Sequence, residues 1–165
     1  MMKSFLVFLF ITLANGALAQ SLELKPKEIL KLLPDRIAGY SSSEEFVTKQ
    51  MTIGKITYML CEKKFEKGGK SIKFLLFDFS NAEIMYTQAM RTWKEAKPIE
   101  TDSIVMRAVA MDNYTGWESY RKRTGQSQIF LGISNRFFLS LTADNVDLPN
   151  LKSILTQVPI DKFPK

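Results

Sequence analysis

Gln126-Ser127-Gln128-Ile129-Phe130-Leu131-Gly132-Ile133-Ser134-Asn135-Arg136-Phe137-Phe138-Leu139-Ser140-Leu141-Thr142-Ala143 is the stretch that decides the fold class. Gln128 to Ile133 and Arg136 to Ala143 are two apolar runs, and Ser134-Asn135 between them has the two-residue length of a tight hairpin. Phe137, Leu139, Leu141 and Ala143 alternate onto one face, with Phe138, Ser140 and Thr142 on the other. Beyond the hairpin, Asp147 opens a short helix whose Leu148, Leu151, Ile154 and Leu155 recur at helical spacing. An apolar stripe of that kind must be buried, and the adjacent hairpin is the nearest surface. The expectation is a sheet with a helix laid on it.

Working outward, Trp117 to Arg123 and Ile104 to Met111 read as strands, with a turn at Asp112-Asn113 and Ile99 to Ser103 as a connector. Ser80 or Asn81 caps a helix running to about Lys94, whose Ala82, Met85, Tyr86, Ala89, Met90 and Trp93 form one broad stripe. Lys55 to Phe65 and Lys70 to Phe79 flank Lys67-Gly68-Gly69, a second hairpin. Phe74 to Phe77 is apolar on both faces, which implies a central strand covered on both sides. Phe46 to Met51 reads as an edge strand and Lys25 to Leu33 as a short helix, with Pro26 in its first turn and Pro34 ending it. Together these imply an α+β domain: a mostly antiparallel sheet of about six strands with helices packed on it, an α/β/α sandwich.

At the other end, residues 1–19 read as a secretory signal peptide. Lys3 supplies the positive start, Phe5 to Leu13 the apolar run, and Ala17-Leu18-Ala19 the small-residue cleavage site. The competing reading, a membrane anchor, requires about 20 apolar residues, and Asn15 and Gly16 interrupt the run early. Residues 20–165 then form a single exported domain, long enough to bury about two-thirds of the unfolded chain's surface. With one cysteine, Cys61, the chain has no internal disulfide, so packing alone must hold it.

The residues exclude more chemistry than they suggest. Without histidine, neither Ser-His-Asp nor Cys-His nucleophiles can form within the chain, and histidine-based zinc sites are excluded. No motif calls for a metal or a cofactor. Cys61, set among Tyr58, Leu60 and Phe65, reads either as a reactive thiol or as a small core hydrophobe. Asp144-Asn145-Val146-Asp147 offers oxygens to calcium, but an Asx turn plus a helix cap accounts for the same residues. The formal charge of +6 includes two basic groups, Lys63, Lys64, Lys67, Lys70 and Lys73, and Arg121-Lys122-Arg123. Interleaved Glu62, Glu66 and Glu118 make these read as solvated surface more than as an anion site. Trp117, Tyr120 and Arg121 are the candidate ligand-binding residues, with packing under the C-terminal helix as the competing reading for the two aromatics. Asn113-Tyr114-Thr115 is an N-glycosylation sequon, and Arg136 is positioned to pair with a nearby acid.

Gly132-Ile133-Ser134-Asn135-Arg136-Phe137, continuing to Asp147-Leu148-Pro149-Asn150-Leu151 and Ile160-Asp161-Lys162-Phe163, resembles the close of small exported bacterial domains without assigned activity. The element order is similar to the PsbP/Mog1-like α/β/α sandwich. That resemblance carries over no catalytic or ligand residue. It implies a non-enzymatic accessory or binding role and a bacterial periplasmic location.

Three functions follow as expectations. The first is a non-enzymatic exported domain that binds a protein partner or an envelope component; export argues against nucleic acid. The second is a lipid- or small-anion-binding module using the cleft between sheet and helix near Trp117, Tyr120 and Arg121. The third is an enzyme working through carboxylate or lysine chemistry, with Asp78 at a strand end as the candidate.

Overall fold

The computed structural model describes residues 23–42, 46–109 and 114–165. The signal peptide, the Asp112-Asn113 turn, the Asn113 sequon and the last two residues of the strand expected to reach Met111 lie outside these. In chain order the elements are α1 (Pro26–Leu30), β1 (Ser41–Ser42), β2 (Val47–Ile53), β3 (Ile56–Lys67), β4 (Lys70–Asp78) and α2 (Glu83–Lys94). They continue with β5 (Ile99–Glu100), β6 (Ile104–Ala108), β7 (Thr115–Arg121), β8 (Gln126–Ile133), β9 (Phe137–Asp144), α3 (Leu148–Leu155) and a closing 3₁₀ turn, Ile160–Lys162.

Both hairpins form where the sequence places them. Ser134 and Asn135 take left-handed φ of 53° and 51° between β8 and β9, and Gly68 and Gly69 take 51° and 77° between β3 and β4. Positive φ at both positions matches the turn to the right-handed twist of the strands it joins. β4 then pairs with β9 from Ser71↔Asp144 to Asp78↔Phe137. This contact joins two meanders, β1 to β4 and β5 to β9, into one antiparallel sheet in the order β1-β3-β4-β9-β8-β7-β6-β5, with β2 also pairing with β3.

The expected α/β/α sandwich of about six strands is corrected by this structure. Among the described residues the sheet has nine strands, while the helices span only five, twelve and eight residues. The fold is sheet-dominated. Two strands, β1 and β5, are two residues long and too short to carry any alternation. The connector expected at Ile99 to Ser103 contains one of them.

One sheet face carries the main core. Ile72, Phe74 and Leu76 of β4, Ile129 and Leu131 of β8, and Phe137, Leu139 and Leu141 of β9 are buried there with Ile29 of α1 and Leu151 and Leu155 of α3. Burying a leucine, isoleucine or phenylalanine side chain contributes about 1.5–3 kcal/mol, so this layer is the main source of stability. The Asp147 carboxylate caps α3, accepting from the Asn150 N–H at 2.9 Å. The cap expected for α2 is different: Ala82 holds the N-cap position, without a side-chain bond. Asp78 takes the Ser80 N–H at 3.0 Å and the Ala82 N–H turns back to the Phe79 carbonyl, so Ser80 and Asn81 are used in the preceding turn.

Candidate functional site

On the second sheet face the side chains of Val47, Lys49, Met51 and Ile53 stand beside Glu62, Leu60, Tyr58 and Ile56 of β3 through the β2–β3 register. Leu60 and Glu62 pair in turn with Phe77 and Leu75 of β4, and Phe77 with Phe138 of β9. A run of rings crosses this face. Tyr58 meets Phe77 and Phe79, Phe77 meets Phe138, Phe138 stacks near Phe130 at 5.8 Å, and Trp93 of α2 lies 4.7 Å from Phe130. α2 covers only one end of the run. Its Tyr86 and Met90 pack directly on Gly132 of β8, where even an added Cβ would come within 2.6 Å of them.

Toward the other end Ile56, Tyr58 and Phe77 lie at the margin of the cluster formed with α2, and Leu60 and Leu75 join no buried cluster among the described residues. Ile56, Tyr58, Leu60, Leu75 and Phe77 are half-buried, and Ile53 retains 57% exposure. Covering of Phe74 to Phe77 on both sides is therefore achieved on the first face and only in part on the second. This apolar surface, interrupted by Lys49 and Glu62, is of the kind that serves interaction sites, apolar side chains beside polar ones.

The candidate binding residues do not converge. Trp117 is buried under α2, donating its indole N–H to the Trp93 carbonyl. Arg121 is exposed further along the same face. Tyr120 points to the opposite face, against the α1–α3 core. A cleft of about 380 Å³ beside Trp117, walled by Trp93, Pro98 and Ala108, includes neither Tyr120 nor Arg121. α2, not the C-terminal helix, is what covers the tryptophan.

The buried charged groups are taken up in structural pairs. Arg136 grips Asp78 with two bonds of 2.6 Å, Nε to Oδ1 and Nη2 to Oδ2, at the closed end of the β4–β9 ladder. The third reading's candidate carboxylate is thus committed to an arginine. Glu118, read from the sequence as a surface acid near Arg121, is instead buried on the opposite face. Its Oε1 accepts from Arg107 Nε at 2.6 Å, and Lys152 Nζ of α3 lies 2.6 Å from Oε2 as an ion pair without hydrogen-bond alignment. Lys63 is also not part of a solvated basic patch. It is buried, with Nζ donating to the Leu33 carbonyl at 3.0 Å, the Pro34 carbonyl at 3.3 Å and Asp35 Oδ1 at 2.8 Å, and with Phe46 beneath it at 4.4 Å. The signal was present: Cys61, Lys63 and Phe65 alternate onto the inward face. Among the described residues no three His, Cys, Asp or Glu side chains are grouped to hold a metal. Asp144 is held by Ser71 and Gln126, and those hydrogen bonds keep its pKa below the ordinary aspartate value.

Cys61 is fully buried, and desolvation pushes its thiol up to about 11, against the smaller opposing effects of Thr48 and Lys63. At pH 8 the native thiol is expected to react with iodoacetamide at least about 100-fold more slowly than in urea, since only the thiolate attacks. Mass spectrometry of the alkylated chain measures this, and equal rates would refute the burial. The linkage has a fixed sign. A raised native pKa stabilises the fold fully below the unfolded thiol's pKa, and that contribution is lost as the pH climbs through about 11.

No protein family, curated protein or solved structure matches this chain. The bare β2–β3–β4 surface therefore rests on its own geometry as the candidate site. No helix among the described residues is long and apolar enough to cross a membrane.

Proposed function

We propose that the chain is a non-enzymatic binding domain, exported by its signal peptide, that holds a protein partner against the open face of β2, β3 and β4. The observation that carries this reading is the apolar end of the second face, where Leu60 and Leu75 lie half-buried outside the cluster formed with α2, and Ile56, Tyr58 and Phe77 at its margin are only partly covered. A partner's apolar side chains would remove this surface from water at about 25 cal/mol per Å². Tyr58 adds a rigid ring of the type enriched in binding hot spots. The absence of histidine and the commitment of Asp78, Glu118 and Lys63 to structural partners also favour binding over catalysis.

The test is photo-crosslinking in living cells, with the reactive group placed at Tyr58 or Leu75 and, as a control, at the exposed Ser153 of α3. Both face positions are expected to capture one and the same protein, and the α3 position not to. Capture of nothing at either position, or the same adducts from all three, would sink the proposal.

A further inference from the structure

The two edges of the sheet are built differently. At one end β5 is two residues long, Ile99–Glu100, and Pro98 precedes it, the short and proline-flanked form that discourages strand addition. At the other end β2 runs for seven residues without proline and, among the described residues, pairs on one side only, with β3. Val47 and Met51 are each 36% exposed on it. A long, regular edge of this kind presents a row of backbone donors and acceptors to a further strand.

The order of residues on β2 indicates which strand. Val47-Thr48-Lys49-Gln50-Met51-Thr52-Ile53 has nearly the same chemistry read in either direction from Gln50. Antiparallel pairing about a two-fold axis at Gln50 sets Val47 opposite Ile53 of the partner subunit, and Thr48 opposite Thr52 of the partner subunit. The stem of Lys49 then lies along Met51 of the partner subunit. Matched β-branched and Thr–Thr pairs each contribute about 0.2–1 kcal/mol, and no like charges meet. Moving the axis to Lys49 would stack two cations. Moving it to Met51 would leave Val47 and Thr48 without partners.

We propose that the chain forms a symmetric dimer by antiparallel addition of β2 to β2 of a second copy, centred on Gln50. This inference does not rest on the partner-binding reading above. The axis stands perpendicular to the sheet, so the bare faces of both copies lie on the same side and become one continuous surface. An interface of one strand pair falls below the roughly 1,000 Å² that marks stable association, so the dimer is weak and reversible.

The experiment is sedimentation velocity over a dilution series, on protein produced with its natural leader and purified after whatever processing the host performs. The wild type is expected to shift from monomer to dimer with rising concentration. Gln50→Lys and Gln50→Glu each place like charges at the axis, and each is expected to sediment as a monomer throughout. An equimolar mixture of the two is expected to recover the dimer, because opposite charges now meet, which also shows that both variants are folded. A wild type monomeric at every concentration overturns the proposal, as does a dimer that survives both substitutions. A monomer whose edge instead takes up another protein's strand, lost in Gln50→Lys, overturns it equally.

Discussion

Arg136→Leu is expected to destabilise the protein by about 3–5 kcal/mol, read as a shift in the urea unfolding midpoint. Asp78 is 1% exposed, and its carboxylate is neutralised by the two 2.6 Å bonds from Arg136. Removing the arginine leaves that charge in the interior, where the Ser80 N–H still donates to it but no cation among the described residues balances it. The cost is thus dominated by the stranded carboxylate rather than by the lost attraction. The double variant Asp78→Leu with Arg136→Leu removes the stranded charge together with its partner, and is expected to recover most of the loss. A double variant no more stable than Arg136→Leu alone would show that the carboxylate was not the group left in difficulty.

Lys63→Met is expected to cost about 3 kcal/mol in the same measurement, even though methionine fills much of the same space. The ammonium closes the turn that follows α1, bonding the Leu33 and Pro34 carbonyls and Asp35. The two carbonyls have their bonds inside the protein, whereas the Asp35 side chain is 84% exposed and can be satisfied by water. Asp35→Asn should accordingly change stability by less than about 1 kcal/mol, as for other exposed ion pairs. Equal losses from the two substitutions would place the energy in the ion pair and refute this account.

Local signals accounted for the elements they could reach. The Ser134-Asn135 and Gly68-Gly69 turns, the alternation from Phe137 to Ala143 and the Asp147 cap depend on residues a few positions apart, and all appear in the structure. Ser41–Ser42 and Ile99–Glu100 were not legible as strands, because two residues acquire that state only from the neighbour they pair with. Lys63 and Glu118 were misread for a different reason. Their residue types say surface, while their places in the alternation say interior, and the interior position prevailed because Asp35, Arg107 and Lys152 arrived from distant segments.

The candidate site was legible only as single residues. Trp117, Tyr120 and Arg121 were close in sequence, but strand geometry sends Tyr120 to the face opposite Trp117, and α2 closes over the tryptophan. The bare surface of β2, β3 and β4 had no local signature. It exists because β9 joins β4, which places α2 over one end of the second face and leaves Leu60 and Leu75 beyond it.

By itself the sequence determined an antiparallel hairpin protein with one inward apolar layer, a capped C-terminal helix and no histidine chemistry, since these depend on period, turn residues and composition. Tertiary structure alone decided the strand count, the burial of Lys63, Glu118 and Asp78, and which apolar side chains stay exposed. Those outcomes depend on long-range β4–β9 pairing and on the reach of three short helices, and neither is encoded within any single stretch of the chain.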